Sequence, residues 1–118
     1  MKRICLAVAA AAIGLVGATA TQAAVPKLVG TVGPGFTITL KKGGVNVRTL
    51  KAGTYSIAVS DLSNAHNFHL FGPGVNKKTT VPFTGTQTWS VKLKPGKYTY
   101  QCDIHALSGM KGTFTVTA

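Results

Sequence analysis

The stretch from Gly96 to Thr117, "GKYTYQCDIHALSGMKGTFTVT", contains two strand-like segments joined by a short loop. In "YTYQC" the residues Tyr98, Tyr100 and Cys102 alternate with Thr99 and Gln101, and "TFTVT" alternates in the same way. Side chains that alternate with period two share one face of a β-strand. The stretch therefore predicts two β-strands, each with one buried face, and a loop that begins after Cys102.

Short alternating or β-branched runs recur along the chain before this stretch. They lie at 36–40, 45–50, 55–60, 67–71, 79–83 and 88–93. Turn signals rich in Gly and Pro separate them, and Pro82 restricts its own run to a sheet edge or a bulge. Runs at this spacing predict an all-β sandwich or barrel, with Trp89 in its core and 74–87 as its least regular segment.

The N-terminal segment has the pattern of a secretory signal peptide. Met1-Lys2-Arg3 carries two positive charges, an uncharged apolar stretch follows, and Ala18-Thr19-Ala20 or Thr21-Gln22-Ala23 offers small residues for cleavage. An uncleaved membrane anchor is the alternative, but the stretch is short and Gly/Ala-rich compared with the roughly 20 strongly apolar residues of a span. We therefore predict a signal peptide at 1–23, a single domain at 24–118, and a periplasmic or otherwise exported protein.

The predicted domain is strongly basic. The whole chain has 13 Lys and Arg residues, 2 acidic residues and a formal charge of +11. Without Lys2 and Arg3 the domain keeps eleven basic and two acidic residues, a charge of about +9. Such a charge attracts acidic protein partners or an anionic membrane, whereas export argues against nucleic acid. A solvated basic surface without a dedicated patch is an equally good interpretation, because no basic run exceeds two residues. Asp61 is interpreted as a turn former and Asp103 as a loop surface residue.

Cys102 is the cysteine that needs an explanation. Cys5 lies at the start of the apolar N-terminal stretch and leaves with the predicted signal peptide. Cys102 then has no disulfide partner within its domain, although exported proteins occupy compartments in which thiols oxidise. Intermolecular pairing, a reactive thiol and a bond to a metal are the remaining explanations.

The spacing Cys102-x2-His105-x4-Met110 favours the bond to a metal. A loop after a strand can bring a thiolate, an imidazole and a thioether to one point. Soft sulfur ligands favour copper, and two histidines with one cysteine and a distant axial methionine are typical of an electron-transfer copper site. Zinc is the alternative metal, although its structural sites usually contain more thiolates.

A second histidine ligand has two candidates, His66 and His69, in "SNAHNFHLFG". Strand alternation gives His66 the same side as Phe68 and Leu70, which form the more apolar face. His69 then lies on the opposite, solvent-exposed side. A ligand in a sealed copper site needs the inward position, so His66 is the predicted ligand.

These motifs resemble the cupredoxins, the small blue copper proteins. "GKYTYQCDIHALSGMKGTFTVT" is similar to their C-terminal copper loop and last strand, with plastocyanin-type spacing, and "AHNFHLFG" is similar to their upstream histidine motif in its amicyanin form. The resemblance implies a cupredoxin-like Greek-key β-sandwich of about eight strands. It also implies one copper ion with His66, Cys102 and His105 as equatorial ligands and Met110 as the axial ligand.

Two further residues take an interpretation from the resemblance. Asn67 is expected to hydrogen-bond to the ligand loop and so tie the two ligand segments together. Gln101 departs from the family pattern, because plastocyanins commonly carry an aromatic residue beside the cysteine. A second electron route through that position is therefore in doubt.

The function implied by the resemblance is one-electron transfer between redox proteins through a Cu(II)/Cu(I) couple. We expect a monomer without enzymatic activity, whose basic surface meets partners with acidic docking surfaces or makes peripheral contact with an anionic membrane. Two alternatives remain open. The first is an exported copper carrier or storage module with the same ligands, and the second is a β-sandwich binding module without a working metal site.

Overall fold

The chain folds into two β-sheets of five strands each, as seen in a computed structural model that describes Gly14 and residues 24–118. The signal peptide predicted at 1–23 lies outside the described residues, apart from Gly14. Among the described residues, no helix has the length and apolar character needed to cross a membrane.

The strands follow one another with short connections. They are β1 (Lys27–Val32), β2 (Ile38–Lys42), β3 (Val45–Asn46), β4 (Thr49–Lys51), β5 (Gly53–Asp61), β6 (His69–Gly72), β7 (Val75–Lys78), β8 (Gly85–Leu93), β9 (Gly96–Gln101) and β10 (Lys111–Thr117). A short 3-10 helix, Ala106–Ser108, lies in the loop between β9 and β10.

Each sheet combines neighbours that are distant in sequence. The first sheet has the order β3-β2-β1-β5-β8 and the second has the order β4-β10-β9-β6-β7. The pairs β1–β5 and β4–β10 are parallel, and the other pairs are antiparallel. Alternate residues of β5 are buried from Tyr55 to Asp61, as expected for a strand with one face on a shared core. The predicted β-sandwich is therefore observed, with ten strands where about eight were expected.

The structure corrects several predicted strands. The run at 45–50 is not one strand, because the chain crosses between the sheets there and divides into β3 and β4. The run at 79–83 forms no strand, since Thr79 turns a buried hydroxyl toward Phe68 instead of pairing in a ladder. Strand β7 lies just before it, within the segment predicted to be least regular.

Strand β1 was not predicted from the sequence. Its inward side contains Gly30 between Leu28 and Val32, which weakens the alternating pattern. A Cβ atom at Gly30 would lie 2.8 Å from Cζ of Phe68. Because Gly30 has no side chain, the Phe68 ring can pack directly against its backbone.

Aromatic rings fill the core between the sheets. The rings of Phe68 and Tyr100 are stacked with centroids 5.9 Å apart, and those of Tyr98 and Phe114 are stacked at 5.3 Å. The Tyr98 hydroxyl donates to the Pro73 carbonyl at 2.7 Å and so remains hydrogen-bonded although its side chain is buried. Trp89 is also buried, as predicted. This packing gives a rigid base to the end of β9, where Cys102 follows.

Three loops gather at one end of the sandwich, which we call the metal end. They follow β1 (33–37), β5 (62–68) and β9 (102–110). The pairing of Val32 with Asp61 and of Gln101 with both His69 and Lys111 brings their starting points together. The opposite end holds the first residues of β5 and the last residues of β10.

Candidate metal centre

Three donor atoms from two loops converge at the metal end. The Nδ1 atoms of His66 and His105 lie 3.0 Å apart, and Sγ of Cys102 lies 3.8 Å from the first and 3.6 Å from the second. Cys102 and His66 are buried, whereas His105 is half-buried. The two histidines and the cysteine singled out in the sequence are therefore brought together, and His69 is not among them.

The spacing of these atoms fits a single metal ion. Metal bonds in zinc sites are about 2.0–2.1 Å to imidazole nitrogen and about 2.3 Å to thiolate sulfur. Two donors on one ion are therefore at most about 4.2 Å apart for two nitrogens and about 4.4 Å for nitrogen and sulfur. All three observed distances lie within these limits. A thiolate with two imidazoles is also the donor set that suits copper.

The loop after β9 folds back on itself through its own backbone. Cys102 N donates to the Met110 carbonyl at 3.0 Å, and Met110 N donates to the His105 carbonyl at 3.2 Å. Gly109 permits this turn because it adopts φ of 97°, in the left-handed region that glycine tolerates. Met110 is 1% exposed at the end of the loop. Its role as an axial ligand stays a prediction.

His66 reaches the site from a loop and not from a strand. Strand alternation predicted its inward direction correctly, but β6 begins only at His69, and Asn67 is buried as well. The loop is shaped by Asp61, whose Oδ1 accepts from Ser63 N at 3.1 Å, consistent with its predicted turn-forming role. Asp61 Oδ2 also accepts from the Thr79 hydroxyl at 3.3 Å, so this buried carboxyl connects the end of β5 to the loop after β7.

Asn67 and Asp103 join the two loops that contribute the donor atoms. Asn67 Oδ1 accepts from Asp103 N at 2.8 Å, and Asn67 Nδ2 donates to Asp103 Oδ2 at 3.0 Å. The same Nδ2 group donates to the Thr79 carbonyl at 3.3 Å. The bridging hydrogen bonds expected of Asn67 are therefore present, and they fix His66 relative to Cys102.

Asp103 and His69 have more specific surroundings than the sequence indicated. Oδ1 of Asp103 lies 2.8 Å from Nδ1 of His69 and accepts from Nε2 of Gln101 at 3.1 Å. Nε2 of His69 lies 2.6 Å from Oδ1 of Asn76. The His69 side chain is 17% exposed. The prediction of a solvent-exposed His69 is therefore wrong, because Asp103 and Asn76 occupy both of its ring nitrogens.

The two acidic side chains of the described residues have opposite pKa shifts. Burial raises the pKa of Asp61, although hydrogen bonds from Ser63 and Thr79 act against this effect. Burial also acts to raise the pKa of Asp103, but hydrogen bonds from Asn67, Gln101 and His69 outweigh it and hold the pKa below its ordinary value. Asp103 therefore remains a carboxylate at neutral pH and can hold its donors in place.

Phe36 covers the two histidine rings from the solvent side. Its ring meets His105 edge-on with centroids 4.9 Å apart, and it meets His66 at 5.3 Å. Phe36 is itself 70% exposed, and the nearby loop contributes the exposed side chains of Ile104 and Leu107. We call these three side chains the apolar rim. No sequence pattern indicated this role for Phe36, because Phe36 was predicted as the first residue of the strand-like run at 36–40.

A β-sandwich that carries a histidine–cysteine–histidine donor set at one end defines the class of small blue copper proteins. The family model "Copper binding proteins, plastocyanin/azurin family" matches residues 26–117. The chain belongs to the plastocyanin/azurin family of copper-binding proteins. This membership confirms the predicted resemblance to cupredoxins and the prediction of copper as the cofactor.

Solved structures of similar fold support the same architecture. Reduced rusticyanin has 21% identity and a TM-score of 0.56, with 77% of this chain and 78% of that chain covered. Rusticyanin from Thiobacillus ferrooxidans has 23% identity and a TM-score of 0.53, with 77% and 76% covered. A multicopper oxidase from Pediococcus acidilactici has 19% identity and a TM-score of 0.52, with 80% of this chain but 26% of that chain covered. A search of curated proteins found no significant match. At these identities the similarity shows the fold alone, and it confirms the predicted cupredoxin-like sandwich.

Proposed function

We propose that the protein is an exported one-electron carrier that binds a single copper ion through His66, Cys102, His105 and Met110. The observation that carries this proposal is the convergence of two imidazole nitrogens and one buried thiol sulfur within 3.8 Å of one another, in a member of a copper-binding family. Bound copper supplies the Cu(II)/Cu(I) couple. Export is supported by the signal-peptide pattern of the N-terminal sequence.

The protein's own residues make the proposed site rigid. Asn67, Asp103 and Thr79 cross-link the two ligand loops, and the stacked rings of Phe68 and Tyr100 support the site from the core. Outer partners of this kind orient metal ligands and exclude water. A site that rearranges little between the two oxidation states suits rapid electron exchange.

The apolar rim around His105 supports a docking role for this end of the molecule. Phe36, Ile104 and Leu107 are exposed beside the half-buried His105 ring, and Leu107 is fully exposed. Exposed apolar side chains grouped around a functional group are typical of interaction sites. We propose that redox partners contact the rim and exchange electrons through His105. The basic residues Lys78 and Lys111 lie on the same half and favour partners that are acidic around this contact.

We propose that the protein is an electron carrier without enzymatic turnover. Within residues 24–118, one cluster of three metal-ligating side chains occurs, and it is the His66, Cys102, His105 site. His69 is the histidine outside this cluster, and both of its ring nitrogens are engaged. The single cluster found among residues 24–118 fits a carrier with one copper ion.

Electron self-exchange and copper transfer separate the proposed carrier from a copper delivery or storage module. We expect the copper-loaded protein to be intensely coloured, to cycle reversibly, and to exchange electrons between its two oxidation states much faster than it loses copper to an acceptor. The measurements are line broadening in NMR spectra of mixed oxidation states and the rate of copper transfer to a chelating peptide. Slow self-exchange with rapid transfer would contradict the proposal and favour the delivery module.

The proposed axial ligand has its own test in a Met110→Leu variant. Leucine preserves the volume of this buried side chain, so the fold is expected to persist. We expect copper to be retained and the reduction potential to rise, because a weak donor to Cu(II) is lost and the axial ligand tunes the potential. Voltammetry measures the change, with Leu107→Ala as the control at an exposed position of the same loop. An unchanged potential in Met110→Leu would show that Met110 is not axial.

A further inference from the structure

Positive charge is distributed unevenly between the two ends of the sandwich. Both acidic residues of the described chain, Asp61 and Asp103, lie at the metal end and are held in hydrogen bonds there. Strand register locates the basic residues. Lys27 pairs with Ser56 and Lys92 pairs with Thr54, near the start of β5, which is the end remote from Cys102. The remote end therefore has no acidic side chain among residues 24–118.

The remote end has seven basic residues, which we call the basic end. Lys51 pairs with Thr117, Lys97 pairs with Thr115, and Lys42 immediately precedes the turn into β3. All seven residues are exposed. They are Lys27, Lys42, Arg48 (between β3 and β4), Lys51, Lys92, Lys94 (between β8 and β9) and Lys97. Of the other four basic residues in 24–118, Lys77, Lys78 and Lys111 lie toward the metal end, and Lys41 lies at mid-strand.

The basic end also contains an open groove with one exposed aliphatic side chain at its edge. The groove has a volume of about 900 Å³ and is lined by Lys42, Val45, Arg48, Lys51 and Tyr55, among others. Val45 is 70% exposed. The Tyr55 hydroxyl donates to the Lys51 carbonyl at 2.7 Å and so fixes the wall of the groove. Three cations therefore surround a cleft next to one exposed aliphatic side chain.

We infer that the basic end binds the anionic headgroups of a phospholipid membrane and holds the metal end away from the membrane. An anionic membrane attracts each nearby lysine or arginine additively, and it requires no fixed pattern of partners. The charges of the basic end match this, since they are spread over both sheets without acidic residues between them. The exposed Val45 can enter the interface between headgroups and acyl chains, as apolar side chains of peripheral proteins do.

In this orientation, contact with a membrane and contact with a redox partner take place at opposite ends of the molecule. From the sequence alone, both contacts were expected of one basic surface. The basic end would restrict the protein to the membrane surface, whereas the apolar rim near His105 stays free to meet a redox partner. An acidic protein could also bind a basic end. The lipid surface is favoured because the cations extend beyond the groove over a whole end of the molecule and lie on both sheets. Headgroup binding involves none of the proposed copper ligands, so it can succeed or fail independently of the proposed function.

Vesicle sedimentation tests this inference with the protein purified from the cell envelope after expression of the full chain. We expect binding to vesicles that contain phosphatidylglycerol, little binding to pure phosphatidylcholine vesicles, and release by high salt, which screens surface charges. A triple variant Lys42→Gln, Arg48→Gln, Lys51→Gln is expected to lower the partition coefficient about ten- to hundred-fold at low salt. The matched control, Lys77→Gln, Lys78→Gln, Lys111→Gln, removes the same charge at the other half and is expected to lower it less than about three-fold.

Several outcomes would overturn the inference. Equal losses in the two triple variants would show that net charge and not the basic end governs binding. Binding to soluble polyglutamate without binding to anionic vesicles would indicate an acidic protein partner instead. Finally, a soluble redox dye is expected to react with vesicle-bound and free copper-loaded protein at equal rates, and strong protection on vesicles would contradict the proposed orientation.

Discussion

A Cys102→Ser variant is expected to lose the intense visible absorption of the copper-loaded protein and to bind copper more than about 100-fold more weakly. The reason is chemical, because a serine hydroxyl stays protonated near neutral pH and lacks the soft sulfur that copper favours. Residues that merely orient metal ligands change affinity 10–100-fold, so loss of a proposed ligand should have a larger effect. Absorption spectra during titration with Cu(II) provide the measurement.

The control for this experiment is His69→Ala. His69 lies outside the donor cluster and contacts Asp103 and Asn76, so its removal is expected to leave the colour in place. The metal-free Cys102→Ser protein should still unfold cooperatively. Its free energy of unfolding should be lower by about 1–3 kcal/mol, because a hydroxyl is buried in place of the thiol. A Cys102→Ser variant that retained the wild-type spectrum would show that the Cys102 thiolate is not a copper ligand.

An Asn67→Ala variant is expected to weaken both the fold and the site, although Asn67 is not a proposed ligand. Asn67 is 3% exposed, and its side chain bonds to the Asp103 backbone and carboxylate and to the Thr79 carbonyl. Removing the amide leaves at least two of these groups without a partner. We expect the free energy of unfolding of the metal-free protein to fall by about 2–3 kcal/mol.

The same variant should lower copper affinity about 10–100-fold, since the loop of His66 is no longer tied to the loop of Cys102. Denaturant unfolding of the metal-free protein and competition with a copper chelator measure the two effects separately. Asn64→Ala is the matched control, because Asn64 is exposed in the same loop. If Asn67→Ala matched Asn64→Ala in both measurements, the connection between the loops would have no energetic role.

The sequence predicted the sandwich better than it predicted the strands. Buried positions alternate in β5, β8 and β9, and these strands were predicted with small errors at their ends. Strand β1 was missed, because Gly30 gives no apolar signal at the position where the Phe68 ring packs. The division of 45–50 into β3 and β4 was also missed. Local alternation does not reveal where a chain leaves one sheet for the other.

The three clustered donors His66, Cys102 and His105 were predicted from the sequence, whereas most of the residues that support them were not. The spacing of Cys102, His105 and Met110 lies within a single loop and can be read directly from the chain. The side of His66 followed from alternation, although the residue lies just outside its strand. Asp103, Thr79 and Phe36 carried no distinguishing pattern, because their partners belong to other loops.

The sequence by itself determined the donor types, the loop that holds most of them, the all-β class and the basic charge, because side-chain chemistry and period-two alternation are local properties. Only the tertiary structure decided that His66 meets His105 across 39 positions, that Asp103 engages His69 and Asn67, and that most of the cations gather opposite the metal end. These features depend on strand register and on the packing of the two sheets, and no short stretch of sequence contains that information.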